Sequence, residues 1–182
     1  GNANFGTGAA STSVGNLLFG NLPGSALVGG GGAAGTTTIS AGTLNIQNAN
    51  ALGTTAGGTS VTNGATLQLQ GGISYAAEPL TLGTGASGNS LIQNESGNNT
   101  WNGSITTSGV VAASFVRISS DSGLLTLANT LNGTDAGTSF VLQGASAITV
   151  TGQITGSSGL TSGSVGAGAG SIRTLSGATN NY

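Results

Sequence analysis

Apolar residues alternate with polar ones in short strings along this chain, and the alternation sets the expected fold. The pattern is clearest in two phrases that repeat, GTTTISAGTLNIQ at residues 35–47 and GTSVTNGATLQLQ at residues 58–70. Ile39 corresponds to Val61, 22 positions later, and Leu44 corresponds to Leu67, 23 positions later. Each phrase has the pattern of a strand, a bend of small residues and a second strand. Recurrence at this spacing is typical of a solenoid, in which one coil uses roughly 20–30 residues.

After residue 72 the strings continue at less regular spacing, and each has one apolar face. Successive side chains of a strand point to opposite faces, so the apolar face is expected to pack inward and the polar face to meet water. Arg117 and Arg173 are both expected on outward faces. Most strings end in Gly, Asn-Gly or Ser-Gly, which supply the positive-φ corners that coil turns need. The expected inward sets are Leu80 with Leu82, Val116 with Ile118, Leu125 with Leu127 and Leu131, Phe140 with Leu142, and Ile148 with Val150.

These strings predict an all-β fold, a β-solenoid or parallel β-helix with its coils in residues 35–182. At roughly 22 residues per coil, the whole chain is expected to make about eight coils. With strands roughly 4.8 Å apart, the rod is expected to be roughly 40 Å long. Residues 1–34 are less regular and contain an apolar cluster in SVGNLLFGNLPGSALV, residues 13–28. This segment is expected to be an opening coil or a cap, because the end of a solenoid exposes unpaired strand edges.

Composition supports the all-β prediction and narrows the possible functions. Charged residues are 3% of the chain and aromatic residues 4%, but the hydrophobic fraction is 36%, which is enough for a packed core. The formal net charge of -2 favours neither nucleic acid nor an anionic membrane as a partner. No apolar run approaches the roughly 20 residues of a transmembrane helix, so no membrane insertion is expected. The chain begins with Gly rather than Met, and we expect a mature protein or a piece of a longer one.

Catalytic and metal-binding residue types are scarce. Cys, His, Met and Lys are all absent, so a nucleophilic Ser has neither a His nor a Lys to act as its base. Asp121 and Asp135 are separated by less than one coil, so they need not stack, and each lies in a turn-forming sequence. We therefore expect no enzyme activity and no cofactor. No metal site is expected either, because four scattered carboxylates make a poor site for a hard cation.

One polar string offers a weak candidate for ligand binding. Trp101 lies between asparagines, and its ring is compatible with an exposed platform on which a sugar stacks. The alternative is that Trp101 covers a coil edge or fills the core. The candidate residues for surface-glycan binding are Trp101, Asn98, Asn99 and Asn102. Flat rows of Thr, as in Thr36-Thr37-Thr38, also raise the possibility of ice binding, although most coils lack a Thr-x-Thr pattern.

The phrases AGTLNIQ and NGATLQLQ, together with the closing TLSGATNNY, resemble the autotransporter-associated β-strand repeats of large secreted bacterial proteins. In that family a phrase similar to TLSGANTYTGG runs directly into TTISAGTL, and here the two halves stand at residues 174–182 and 36–44. The resemblance implies a right-handed parallel β-helix, exported to the bacterial cell surface. It also implies a structural role in a surface stalk, adhesin or filament. The membrane barrel of that family is not expected here, because the chain has one Trp and two Tyr.

These observations rank three classes of function. The first is an extracellular structural rod, the second a carbohydrate- or surface-binding module, and the third, least favoured, a polysaccharide-degrading β-helix enzyme. Bare solenoid ends and low charge also predict that copies stack head to tail into filaments. If the chain is instead a slice of a repeating array, neighbouring repeats occupy the same edges.

Overall fold

A computed structural model describes residues 28–29, 36–83, 90–109, 114–163, 171–177 and 179–182 of the chain. These ranges contain strands, turns and bends and no helix, in agreement with the all-β prediction. In chain order the strands are β1 (Val28–Gly29), β2 (Thr37–Ile39), β3 (Thr43–Ile46), β4 (Thr59–Val61), β5 (Thr66–Gln70), β6 (Ser74–Tyr75), β7 (Leu80–Gly83), β8 (Ser90–Ser96), β9 (Asn99–Trp101), β10 (Ile105–Ser108), β11 (Phe115–Ser120), β12 (Leu125–Leu127), β13 (Leu131–Gly133), β14 (Ser139–Gln143), β15 (Ile148–Val150), β16 (Ile154–Gly156), β17 (Gly159–Ser162) and β18 (Arg173–Leu175).

The strands stack into three parallel sheets that the chain visits in turn. Sheet A has the order β1-β2-β4-β7-β10-β13-β16, sheet B has β17-β14-β11-β8-β5-β3, and sheet C has β18-β15-β12-β9-β6. The chain passes from A to B to C in each of the turns β4–β6, β7–β9, β10–β12, β13–β15 and β16–β18. The fold is therefore a parallel β-solenoid of about five turns, preceded by β2 and β3. This confirms the predicted fold class.

The turns are mostly longer than the roughly 22 residues per coil on which the predicted number of coils was based. Leu80 pairs with Ile105 and Ile105 with Leu131 across two of the longer turns, whereas Phe140 pairs with Leu160 across a shorter one. The six strands β2 to β16 of sheet A span about 24 Å at about 4.8 Å per strand. The described residues therefore form about five turns, and the count of about eight coils stays a prediction.

The interior is built from rows of side chains, each contributed by the same position of successive turns. All of the inward sets predicted from the alternation are buried. Because paired residues of successive turns stack, apolar rows continue from one turn to the next. The longest rows are Leu80–Ile105–Leu131–Ile154 in sheet A, Leu44–Leu67–Ile92–Ile118–Leu142 in sheet B and Tyr75–Trp101–Leu127–Val150–Leu175 in sheet C.

The prediction that both arginines face outward is wrong for Arg173. Arg173 pairs with Ile148 and so continues an inward row, whereas Ile172 is 64% exposed. The guanidinium of Arg173 donates to the carbonyl oxygens of Gly144 (2.8 Å) and Ser146 (2.6 Å) in the turn below. Burial lowers the pKa of Arg173. Hydrogen bonds to these backbone oxygens offset the free-energy cost of partly burying the cation. The alternation of apolar and polar residues along the sequence contains no information about such partners.

At the corner between sheets B and C, the inward side chains become smaller from one turn to the next. Leu69 pairs with Asn94, and Asn94 pairs with Ser120. Gly144 follows in the next turn, with a φ of 102°. A Cβ on Gly144 would lie 2.2 Å from the carbonyl oxygen of Ser120. Only glycine meets both the backbone conformation and the close approach at this corner.

Most of the predicted opening segment, residues 1–34, lies outside the described residues. Its described part, β1, pairs antiparallel with β2, with Val28 opposite Ile39 and Gly29 opposite Thr38. This is the one antiparallel pairing among the described strands. Two residues of the segment therefore lie on the first edge of sheet A, while a capping role for the whole segment stays a prediction.

A buried carboxyl group occupies the corner between sheets C and A. Glu78 is 4% exposed, and its Oε1 accepts a hydrogen bond from the Thr59 hydroxyl at 3.0 Å. Burial raises the pKa of Glu78, and the hydrogen bond from Thr59 offsets part of that rise. A carboxyl group whose pKa is higher in the folded state binds its proton more tightly there. Its contribution to stability is therefore lost as the pH rises from the ordinary value, about 4.3, through the folded pKa.

We expect Glu78→Gln to weaken the pH dependence of stability in this window. The amide keeps an acceptor for Thr59 but carries no charge, so the free energy of unfolding should decline less between pH 4 and pH 7 than in the parent chain. Urea unfolding at several pH values measures the difference. Glu95→Gln, at an exposed carboxylate, is the matched control. Identical pH slopes for the parent and Glu78→Gln would contradict the assignment.

Candidate functional site

Trp101 lies in the core. Its side chain is 0% exposed, and its ring packs against Tyr75 with centroids 6.1 Å apart and planes at 37°. The Tyr75 hydroxyl donates to the carbonyl oxygen of Ile46 at 2.8 Å. Trp101 therefore presents no ring face on which a sugar could stack. Its position matches the alternative role of filling the core.

The three asparagines predicted beside Trp101 connect neighbouring turns. Asn98 is exposed and accepts a hydrogen bond from the amide of Leu124 at 3.0 Å. Asn99 is buried, and its side-chain oxygen accepts from the amide of Ile73 at 2.7 Å. Asn102 donates to the Ser74 hydroxyl at 2.9 Å. These residues lie around one strand, as predicted, but all three form hydrogen bonds within the stack. Glycan binding by them stays a prediction.

A buried polar network joins two turns at the corner between sheets B and C. The side-chain amide of Asn94 donates to the Ser120 hydroxyl at 2.9 Å and to the carbonyl oxygens of Gly97 and Ser122 at 3.1 Å. Its side-chain oxygen accepts a hydrogen bond from Asn99. Asn94, Asn99 and Ser120 are each 0% exposed. Three hydrogen-bonded polar side chains thus replace apolar residues in the core rows at this corner.

A second polar array runs along the exposed face of sheet B. Asn45 donates to Gln68 at 2.6 Å, Gln68 donates to Gln93 at 3.1 Å, and Gln93 donates to Asp121 at 2.6 Å. We call these four residues the amide ladder. Each amide gives its N–H to the next turn, and the ladder ends at a carboxylate, which only accepts. Asn45 and Gln68 occupy equivalent positions in the two repeated phrases. The spacing of the phrases is therefore the sequence feature from which the first hydrogen bond of the ladder could have been predicted.

The structure does not bring the two candidate aspartates together. Asp121 is exposed at the end of β11, where Gln93 donates to it, whereas Asp135 is buried between β13 and β14. The two positions lie at opposite ends of sheet B, a strand length of roughly 17–20 Å apart. Asp121 is nearer to Glu95 than to Asp135. The backbone amide of Asp121 donates to the carbonyl oxygen of Asn94, the residue before Glu95, at 2.8 Å.

Asp135 lies in a polar corner of its own. The hydroxyls of Thr138 and Ser158 donate to its backbone oxygen at 2.7 and 2.9 Å. Among the described residues, the carboxylate Oδ2 of Asp135 and the hydroxyl of Ser114 are buried without a hydrogen-bond partner. No three His, Cys, Asp or Glu residues cluster anywhere in the described ranges. In the same ranges there is also no helix of the length and hydropathy that a membrane span requires.

The one outward arginine of sheet B rests on an aromatic ring. The guanidinium carbon of Arg117 lies 5.0 Å from the centroid of the Phe115 ring, within the range of a cation–π interaction. Both residues face outward from β11, as the alternation predicted. This pair is the only cation–π contact among the described residues, and it lies on β11, the strand that directly precedes Asp121 of the amide ladder.

Comparisons with known proteins do not assign this chain to a family. No protein-family model, no curated protein and no solved structure matches the chain.

We expect Asn94→Ala to destabilise the protein by about 3 kcal/mol, because it leaves several buried polar groups without partners. Asn45→Ala removes a side-chain amide from the exposed ladder and should change stability by about 0.5 kcal/mol or less. Urea unfolding of both variants measures the difference. Similar losses at the two positions would contradict the distinction between the buried network and the exposed ladder.

Proposed function

We propose that this chain is a structural segment of an extracellular bacterial surface protein, a right-handed β-solenoid rod within a stalk, adhesin or filament. The observation that carries the proposal is the continuous in-register stack. Every turn is joined to the next by backbone ladders, by an apolar row and by polar side chains. The right-handed sense follows the general preference of parallel β-connections, about 98% of which are right-handed.

The pairing of the repeated phrases supports the resemblance to autotransporter-associated repeats. Thr37 pairs with Thr59 and Thr43 pairs with Thr66, so each phrase supplies the sheet A and sheet B strands of one turn. The closing phrase TLSGATNNY starts in sheet C, and its Asn181 then bridges in parallel to Thr155 of sheet A. In the repeat family the corresponding phrase runs into TTISAGTL, which here begins in sheet A at β2. The order of phrases and the order of sheets therefore agree.

The proposal assigns the chain no catalytic step and no cofactor. The support is the use of polar groups within the stack: the candidate asparagines, the amide ladder and the buried network all bind neighbouring turns. The two aspartates weighed as a carboxylate pair occupy separate corners.

Self-association is part of the same proposal. Large hydrophobic side chains are exposed on the last turn, where Ile172 is 64%, Leu175 41% and Tyr182 53% exposed. Leu175 ends an inward row of sheet C, so a further solenoid layer would cover it. Where no neighbouring repeat of the same protein covers this edge, we propose that a second copy packs there head to tail, because the strand edges are unpaired and the chain carries little charge.

The location is tested by an epitope inserted in the exposed β3–β4 loop, at residues 54–56, in the native protein of the source bacterium. We expect antibody to label intact cells and protease added outside to remove the label. A cytoplasmic enzyme carrying the same epitope is the control and should be labelled only after permeabilisation. Labelling of the chain only in permeabilised cells would contradict a surface role.

Sedimentation across a range of concentrations tests self-association, which a monomer at every concentration would contradict.

A further inference from the structure

The outer face of sheet A carries a regular row of polar side chains. Register places one outward residue of each strand directly above the last, and sheet A has no register shift between β2 and β16. Successive members are separated by the strand spacing, about 4.8 Å. None of them is charged. We call this set the hydroxyl row; it consists of Thr38, Ser60, Thr81, Thr106, Asn132 and Thr155.

The first four hydroxyls of the row have no partner among the described residues. Thr155 donates to Asn132 at 3.3 Å, but Thr38, Ser60, Thr81 and Thr106 make no side-chain hydrogen bond within the described ranges. All four are partly exposed. The amide ladder of sheet B differs, because its side chains donate to one another. The hydroxyl row therefore keeps hydrogen-bonding capacity that can be used by a molecule outside the protein.

A depression interrupts this face beside Ser60 and Thr81. It has a volume of about 170 Å³. Gly58, with a φ of 71°, and the exposed Pro79 both line it. A Cβ on Gly58 would lie 3.1 Å from the carbonyl oxygen of Pro79, so a larger residue would crowd this side of the depression. Its remaining lining residues are Thr36, Gly57 and Thr59.

We propose that the hydroxyl row binds a linear, uncharged polysaccharide that lies along the solenoid axis. The strand spacing is comparable to the length of one sugar unit in an extended chain, so successive units meet equivalent hydroxyls. One sugar ring enters the depression, where Pro79 offers an apolar surface to its C–H face and Ser60 and Thr81 offer hydroxyls. An uncharged face suits an uncharged polymer. The depression also makes the face uneven, which favours a flexible polymer over the flat surface of ice. This binding is independent of the rod function.

The test uses affinity electrophoresis of the full chain in native gels that contain hydroxyethyl cellulose or glucomannan. We expect both polymers to retard the protein. Ser60→Ala and Thr81→Val each remove a hydroxyl, and each should raise the apparent Kd by about 3- to 10-fold. The double variant should lose most of the retardation.

Thr126→Val and Thr149→Val are the matched controls, because these residues belong to an equivalent outward row of sheet C, which lines no part of the depression; that row consists of Ser74, Thr100, Thr126, Thr149 and Thr174. They should leave the retardation unchanged, and circular dichroism should show the same fold in every variant. Three results would overturn the proposal: no retardation by either neutral polymer, equal losses in the sheet A and sheet C variants, or retardation by polygalacturonate alone. Inhibition of ice recrystallisation without polymer binding would assign the face to ice instead. None of these results bears on the surface location of the rod.

Discussion

The structure depends on in-register stacking, because one turn of the solenoid cannot satisfy its own backbone. The strands are mostly three to five residues long, and their N–H and C=O groups pair only with the turns above and below. An unpaired buried backbone group costs about as much as a lost hydrogen bond. Once the register is set by the backbone, most side chains lie above their counterparts, and among the described strands the register shifts only on either side of β8. The apolar rows, the buried asparagine network and the amide ladder are all consequences of that alignment.

Stacking also explains how polar residues enter the core. Asn94 and Ser120 occupy a row that begins with apolar residues, and they are accommodated because each reaches the turn next to it. Glu78 reaches Thr59 in the same way, although burial still raises its pKa. Buried polar groups are tolerated where a partner stands at the matching position. In this chain the register supplies that partner.

Much of the fold could be predicted from alternation alone. Val116 and Ile118 were assigned inward and Phe115 and Arg117 outward, and the structure confirms all four, because period-two alternation determines which face is buried. Arg173 was assigned wrongly, since its partners are backbone oxygens 27 and 29 residues away. The candidate site was harder to predict. Asn98, Asn99 and Asn102 are close in sequence and in space, but each also bonds to a residue 26 to 28 positions away in the neighbouring turn. The hydroxyl row appears only when six strands are aligned.

The most direct test of in-register stacking is disulfide trapping, because the chain has no native cysteine. Thr126 and Thr149 pair directly in sheet C, so Thr126→Cys with Thr149→Cys places the two Cα atoms about 4.8 Å apart. Moving the second cysteine to Thr151 increases the separation to roughly 8 Å, beyond the roughly 7 Å that a disulfide can bridge. We expect mild oxidation to form an intramolecular disulfide in the first variant, detected by protection from alkylation, and to leave the second reduced. Cross-linking in the Thr151 variant but not in the Thr149 variant would contradict the register.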